Sequence, residues 1–270
     1  MRDIGIHLRI EHSVLDVIRK AIELNLSTFQ LFLIMQNTGK PIELSAEEIA
    51  QVREFSTRFP RVYVHGSYWI NPASAMGVRQ RALIKECALA TALGFSHLVL
   101  HPGSMRGQDK PTALKALAKT LNDLAHRYPE LTVIVENAAH GGQALGGDIA
   151  DFVVLKELLK DPKRAVYCID TAHAFVYGYD IRSDQQQDDF IGLLDQTIGL
   201  DSIGLIHLND TKESLGSRID QHACIDQGLI GLGALKRFIS HPALCHVPII
   251  MEMPVATQED ELRYIELVKE

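Results

Sequence analysis

Six residues of metal-binding types recur at nearly constant intervals along this chain. They are His65, His101, Glu136, Asp170, His207 and Glu252, and the intervals between them are 36, 35, 34, 37 and 45 residues. Each one ends a short run of apolar, β-branched residues that is typical of a buried strand. Imidazole and carboxylate groups are common ligands of zinc and the neighbouring first-row metals. The spacing therefore predicts that metal-type side chains gather at the ends of parallel strands.

Two short pairs enlarge this set to nine residues. Asp170-x-x-His173 follows one of the runs, and Asp220-x-His222 lies in a long polar stretch, residues 209–233. A catalytic ion takes about three protein ligands plus water, so nine candidates fit two or three ions with a bridging carboxylate. Like charges buried at one face would repel one another without cations. The remaining histidines are interpreted as ordinary core or rim residues, and of these we single out His7, near the end of the first strand: His7, His12, His97, His126, His140, His241 and His246.

Strand-like and helix-like segments alternate along the whole chain, which predicts a parallel sheet. The strand candidates are Ile4–Leu8, Thr28–Leu33, Val62–His65, His97–His101, Thr132–Glu136, Val166–Asp170, Ile203–Leu208 and Pro248–Glu252. The amphipathic segments are Val14–Leu24, Ala46–Phe55, Arg79–Leu93, Leu114–Ala125, Ile149–Leu159, Phe190–Ile198, Leu235–Ile239 and Glu259–Val268. A closed (β/α)8 TIM barrel of about 250 residues places active sites at the carboxyl ends of its strands. We predict that residues 1–270 form one such α/β domain with the metal site at that end.

Composition narrows the class of protein further. The chain is 46% apolar, and its four cysteines form no C-x-x-C pair, which is typical of reduced thiols in a cytoplasmic protein. Its start resembles no signal peptide, and no apolar stretch is long enough to cross a bilayer. We therefore expect a cytoplasmic monomer with no membrane partner.

The net charge of −7 at first argues against a nucleic-acid partner. Bound divalent ions count as charge in a site, however, and three of them would bring the total close to zero at one face. The overall charge therefore does not decide whether the partner is a nucleic acid.

Longer motifs around the nine residues resemble the endonuclease IV family of apurinic/apyrimidinic (AP) endonucleases. The matching segments are HGSYWINPAS (65–74), HPGS (101–104), VENAAHGGQALGG (135–147), CIDTAHAFVYGYDIRS (168–183), IHLNDTKESLGSRIDQHACIDQGLIG (206–231) and IMEMP (250–254). A glycine-punctuated block such as LGSRIDQH is highly specific, whereas HPGS alone would be weak.

The resemblance implies a TIM barrel holding three Zn²⁺ ions. His65 and His101 would hold the first ion, with Glu136 bridging to the second, and Asp170, His207 and Glu252 would complete the second. His173, Asp220 and His222 would hold the third. Imidazole–carboxylate sites also accept Mn²⁺ or Fe²⁺, so the identity of the metal stays open.

The activity that the resemblance implies is incision of double-stranded DNA 5′ to an abasic site in base excision repair. Two close metals lower the pKa of a shared water and clamp the attacking and leaving oxygens, so a metal-bridged hydroxide would cut the phosphodiester. Glu136 or Glu252 would be the catalytic carboxylate that orients it. Secondary 3′-repair or incision of oxidised bases stays open.

The chain departs from the family in the loops that grip DNA. Residues 9–12 read RIEH where the family has a small, glycine-rich segment, and residues 35–40 read MQNTGK where the family has an Arg- and Trp-containing wedge. Tyr68 keeps the family's aromatic, and Trp69 follows it. We hypothesise that Trp69 stacks at the lesion; the alternative is an aromatic that covers the barrel mouth. Candidate phosphate contacts, chosen by charge and position, are Ser104, Arg106, Lys110, Lys212 and Arg218.

Two other functions stay open. A sugar isomerase or epimerase on the same barrel would need fewer ligands and would leave the set around His173 without a role. A repurposed family member could act on another phosphoester, because the loops that grip DNA are altered.

Overall fold

Eight parallel strands form one sheet in a computed structural model, which describes residues 2–35, 38–74, 78–254 and 257–269. In chain order the strands are β1 (Ile4–Ile6), β2 (Thr28–Phe32), β3 (Ile34–Met35), β4 (Lys40–Pro41), β5 (Arg61–His65), β6 (His97–Leu100), β7 (Thr132–Glu136), β8 (Val166–Asp170), β9 (Ile203–His207), β10 (Asp210–Thr211), β11 (His222–Ala223) and β12 (Ile249–Met251). The large sheet has the order β1-β12-β9-β8-β7-β6-β5-β2, while β3–β4 and β10–β11 are small antiparallel pairs. The predicted (β/α)8 TIM barrel is confirmed.

Helices separate successive barrel strands and cover the outside of the sheet. They are α1 (Val14–Glu23), α2 (Ala46–Ser56), α3 (Val78–Leu93), α4 (Lys110–Arg127), α5 (Ala150–Leu158), α6 (Thr171–Tyr177), α7 (Asp184–Thr197), α8 (Leu232–Ser240) and α9 (Gln258–Lys269). Short 3-10 turns occur at Gly141–Gln143, Pro162–Arg164 and Leu200–Ser202. In the part of the chain that is described, no helix has the length and apolar character needed to span a membrane.

The barrel closes where β1 meets β2. His7 and Gln30 form a parallel bridge, and the Leu8 amide donates a 2.8 Å hydrogen bond to the Gln30 carbonyl. Gly5 permits this approach, because a side-chain carbon at that position would collide with the carbonyl oxygen of Thr28. The seam therefore depends on a residue without a side chain.

Alternation along the strands explains why the predicted metal residues converge. Six buried residues form a separate small cluster: Tyr63, Val99, Ile134, Cys168, Leu205 and Ile250. Each lies two positions before one of the six periodic metal-type residues. Since side chains two apart on a strand share a face, the six residues and this cluster point to the same side, the barrel interior. The larger core lies between the sheet and the helices.

All eight predicted strands are present, whereas several helices differ from the expected ranges. The short helix α6 was not predicted; it begins because the Asp170 side chain accepts a hydrogen bond from the His173 amide. Helix α7 begins at Asp184, where Ser183 caps it, and its polar first turn faces solvent on most sides ahead of the amphipathic segment from Phe190. The two small hairpins also escaped prediction, since each strand has only two residues.

Candidate metal centre

Glu136, at the end of β7, lies at the middle of a buried cluster of histidines. Its Oε2 atom is 3.2 Å from His65 Nε2 and 3.3 Å from His101 Nε2. Its Oε1 atom is 3.1 Å from His207 Nδ1 and 3.2 Å from His173 Nδ1. The two oxygens therefore face different sets of imidazoles, which is the arrangement that a bridging carboxylate requires.

A second group lies beside Glu136 at the ends of β8, β9 and β12. Glu136, Asp170, His207 and Glu252 each offer a ligand atom, and these atoms lie within 4.8 Å of one another. Glu252 Oε2 is 3.3 Å from His207 Nδ1, and Glu252 Oε1 is 4.0 Å from His65 Nε2. This is the set predicted for the second ion.

A third group lies nearer the rim. His173 Nε2 is 3.1 Å from Asp220 Oδ2, and His222 Nε2 is 3.3 Å from Asp220 Oδ1. His222 begins β11, so the β10–β11 hairpin turns the long loop back over the barrel. The structure thus brings all nine predicted residues together.

Hydrogen bonds fix the orientation of four of these imidazoles. His65 Nδ1, His173 Nδ1 and His222 Nδ1 donate to the main-chain oxygens of Gly66, Asn137 and Glu252 at 2.8, 2.8 and 3.2 Å. His207 Nε2 donates to the Gln30 amide oxygen at 3.0 Å. Since a carbonyl oxygen only accepts, the other nitrogen of each ring carries its lone pair toward the carboxylates when the ring is neutral. Such carbonyl-bound imidazoles are the usual form of metal-ligating histidine.

Several buried polar atoms of the same cluster lack hydrogen-bond partners. Glu136 Oε1, His173 Nε2, His207 Nδ1 and His222 Nε2 have no hydrogen-bond partner among the described residues. A buried polar atom without a partner costs free energy, and carboxylate oxygens facing imidazole lone pairs repel them. Divalent cations would satisfy both, so the residues fit metal ions, and their oxygen and imidazole donors suit zinc and its neighbours.

The pKa values show how strongly the cluster attracts positive charge. Burial alone would raise the pKa of Glu136, but His207 and His101 outweigh it and hold that pKa well below its usual range. Burial alone would lower the pKa of His173, but Asp170 and Asp220 hold it well above its usual range. Ions that bind here must displace the protons that these shifts favour, so metal binding releases protons.

Three residues that the sequence did not single out support the cluster. Gln30 Nε2 donates to Glu252 Oε1 at 2.7 Å, while its oxygen holds His207. Asn209 Nδ2 donates to Asp170 Oδ2 at 2.6 Å and to Glu252 Oε2 at 3.2 Å. His140 Nε2 lies 3.3 Å from Asp220 Oδ2, although it was interpreted as an ordinary histidine. Burial, together with the neighbouring His101, lowers the pKa of His140 to about 4, so His140 stays neutral at pH 7.

Comparison with known proteins identifies the family. The AP endonuclease 2 family model, described as a xylose isomerase-like TIM barrel, matches residues 18–269. A protein named "Probable endonuclease 4" from Chlorobium limicola is 33% identical over 263 residues, covering 94% of this chain and 91% of that protein. Its namesake from Campylobacter concisus is 33% identical over 275 residues, covering 98% and 97%. The chain belongs to the endonuclease IV family.

A solved structure within the endonuclease IV family has the same overall shape. The crystal structure of endonuclease IV from Thermus thermophilus superposes with a TM-score of 0.85 at 29% identity, covering 99% of this chain and 97% of that one. The family resemblance proposed from the motifs is therefore confirmed over nearly the whole barrel.

The endonuclease IV barrel opens above the metal centre into a groove of about 690 Å³. Its lining residues are His7, Arg9, Phe32, Tyr68, Trp69, Asp220, His222, Glu252, Met253 and Pro254. Tyr68 and Trp69 are 55% and 52% exposed. The Tyr68 ring packs 5.3 Å from the His65 and His101 rings, so Tyr68 borders the site directly.

The two departures from the endonuclease IV pattern flank this groove. Of the RIEH segment, Arg9 is exposed and lines it. Of MQNTGK, Gln36 and Asn37 lie outside the described residues, but Met35 pairs with Lys40 in the β3–β4 hairpin. Trp69 lies beside this hairpin, since a side-chain carbon at Gly39 would come within 3.7 Å of its indole ring.

The predicted phosphate contacts differ in their surroundings. Arg106, Lys212 and Arg218 are exposed, and the Arg218 guanidinium stacks 3.5 Å from the Tyr177 ring centre. Ser104 is half-buried, and its main chain is held by Asn71. The Lys110 ammonium instead lies 2.9 Å from the carboxylate of Asp151. Lys110 is therefore committed to an ion pair within the fold.

Proposed function

We propose that this chain is a metal-dependent AP endonuclease that hydrolyses DNA on the 5′ side of abasic sites and leaves a 3′-hydroxyl. The observation that carries the proposal is the set of carbonyl-bound histidines whose other nitrogens face carboxylate oxygens at the base of an open groove. Relatives named "Probable endonuclease 4" cover most of the chain and support the same activity.

Three ions, Zn²⁺ in our proposal, would divide the nine residues among them. His65, His101 and Glu136 would hold the first; Glu136, Asp170, His207 and Glu252 the second; and His173, Asp220 and His222 the third. Mn²⁺ or Fe²⁺ could occupy one position, because the donor atoms are the same. When bound, closely spaced divalent ions lower the pKa of a water toward neutral pH and neutralise charge on a phosphodiester.

The two candidate catalytic carboxylates have different surroundings. The Glu136 side chain is fully buried, whereas that of Glu252 is 10% exposed and lines the groove. Gln30 and Asn209 hold both oxygens of Glu252. We infer that Glu252 is the carboxylate that can contact the scissile phosphate or the attacking water. Glu136 would hold the ions without contacting the substrate.

Double-stranded DNA with an abasic lesion would lie across the groove. Tyr68 and Trp69 supply aromatic faces beside the site, and Arg9, Arg106, Lys212 and Arg218 supply exposed positive charge. Main-chain and side-chain contacts to phosphate position a duplex, while stacking favours an unpaired or missing base. We expect the active protein to be a monomer, since all nine ligands come from one chain, and to be cytoplasmic, since its four cysteines form no C-x-x-C pair.

The decisive experiment is cleavage of a duplex oligonucleotide that contains one tetrahydrofuran site, before and after treatment with a strong chelator. Chelator-sensitive incision 5′ to the site supports the proposal. An inert substrate with full metal occupancy would favour a repurposed phosphoesterase, and about one metal per chain would favour the isomerase or epimerase.

A further inference from the structure

His140 lies at the rim of the metal centre, next to the outer group of His173, Asp220 and His222. Its Nε2 atom is 3.3 Å from Asp220 Oδ2, and its ring centre is 5.9 Å from that of His173. The ligand atoms of His140, His173 and His101 lie within 4.8 Å of one another. His140 is not among the nine residues that the motifs assign to the ions.

Three nitrogen–oxygen distances at Asp220 are those expected between ligands of one tetrahedral ion. Bonds of 2.0–2.1 Å at tetrahedral angles place ligand atoms about 3.3 Å apart. The nitrogens of His173, His140 and His222 lie 3.1, 3.3 and 3.3 Å from oxygens of Asp220. Two of these contacts share Oδ2, so His140 and His173 approach the same corner of the carboxylate.

The backbone holds His140 at this place. The next residue, Gly141, has φ of +58°, a left-handed conformation that glycine adopts without strain. Its amide donates a 3.0 Å hydrogen bond to the Arg218 carbonyl, two residues before Asp220. The loop after β7 is thereby tied to the loop that carries the outer ligands.

We propose that His140 is a fourth protein ligand of the outer ion, completing a three-histidine, one-carboxylate site with His173, Asp220 and His222. This inference rests on the metal centre of the proposed function. Sites with four protein ligands are typically closed and structural, whereas catalytic sites keep a position for water or substrate. With four protein ligands instead of three, the outer ion is expected to be lost more slowly from this chain.

The His140 side chain, 49% exposed, is also the solvent-facing member of the set, whereas that of His173 is 1% exposed. Loss of this imidazole would leave the outer position more open to solvent on this side. Removal of His140 is therefore expected to speed the loss of one ion and to leave the deeper ions in place.

The test compares zinc-loaded wild type with His140→Ala, His140→Gln and Asp220→Asn, with His126→Ala as the control. His126 is an exposed histidine on α4, outside the barrel. Metal per chain is measured after dialysis, and release of zinc to a chromogenic chelator is followed in time. Asp220→Asn identifies the phase that belongs to the outer ion.

Both His140 variants should release the zinc of that phase at least about 10-fold faster than His126→Ala does, since even outer-shell partners contribute about 10–100-fold to metal affinity. The visible absorption of Co²⁺ at the outer site should change in the same variants. Circular dichroism checks that the barrel remains folded.

Unchanged release from His140→Ala overturns the inference while leaving the proposed function intact. Wild-type behaviour of His140→Gln also overturns it, because a side-chain hydrogen bond to Asp220 would then suffice. A wild-type protein that binds no more than one metal overturns both this inference and the proposed function.

Discussion

The side-chain nitrogen of Gln30, on β2, lies 2.7 Å from Oε1 of Glu252, the residue that follows β12. This hydrogen bond joins the second barrel strand to the end of the last barrel strand. The oxygen of the same amide accepts a hydrogen bond from His207. One amide thus fixes the carboxylate and the imidazole of the second ion group. Because Gln30 lies at the seam between β1 and β2, the site can be ordered only when the barrel is closed.

Gln30→Leu is expected to weaken binding of the second ion by about 10- to 100-fold, because His207 and Glu252 lose the partner that orients them. Calorimetric titration of the metal-free protein with zinc measures the change. Thr28→Val is the matched control, since it removes a buried hydrogen bond on the same strand, to the Arg61 carbonyl, away from the ions. Equal affinity in Gln30→Leu and the control would contradict the orienting role.

Glu136→Gln is expected to lower the incision rate by more than about 100-fold, the upper range for loss of an outer-shell partner, while the barrel stays folded. An amide offers one oxygen, so it cannot bridge two ions as a carboxylate does. Single-turnover cleavage and circular dichroism are measured together. Glu130→Gln is the control and should retain full activity, because Glu130 is exposed and lies before the start of β7, at the end away from the metal centre. Retained activity in Glu136→Gln would rule out the bridging role.

Trp69→Ala is expected to weaken binding to abasic DNA by about 5- to 150-fold, the equivalent of ~1–3 kcal/mol of base–aromatic stacking. Fluorescence anisotropy with lesion and intact duplexes measures the effect, which should be larger for the lesion. Trp69→Phe should retain most of the affinity. Val154→Ala, which shortens an exposed apolar side chain on α5, serves as the control. If Trp69→Ala binds and cleaves like wild type, the indole only covers the barrel mouth.

Glu86 on α3 gives a prediction about stability and pH. Burial raises the pKa of this carboxyl group to about 8, even though the Ser67 amide donates to it. Between about pH 4.5 and 8 the Glu86 carboxyl group is therefore protonated in the folded protein but ionised in the unfolded chain. The free energy of unfolding falls as the pH rises from about 4.5 to 8. Glu86→Gln should remove this dependence and raise the free energy of unfolding at pH 8 by about 2–4 kcal/mol. Urea unfolding at pH 5 and pH 8 measures it, and an unchanged pH slope would show that Glu86 does not titrate in this range.

The periodic spacing was enough to predict the barrel and the convergence of His65, His101 and Glu136. Two regularities make this possible: a strand–helix unit has a nearly constant length, and parallel strands end at the same face of a barrel. Position along the sequence then translates directly into position in space. The loop residues Asp220 and His222 followed from motif resemblance rather than from spacing.

The supporting residues could not be predicted in the same way. Gln30 sits inside a buried strand and lies 222 residues from its partner Glu252, so no local pattern marks it. His140 stands in a loop, outside the strand-end series, and the hydrogen bond from Gly141 to Arg218 helps to place it against Asp220. Such contacts depend on how loops cross above the barrel, which sequence periodicity does not encode.

The position of β12 between β1 and β9 has a consequence for synthesis on the ribosome. A nascent polypeptide that ends before residue 249 has β1 without its β12 neighbour and lacks Glu252 altogether. The proposed second ion group is then incomplete, so the growing chain gains this group only after β12 and Glu252 have been made.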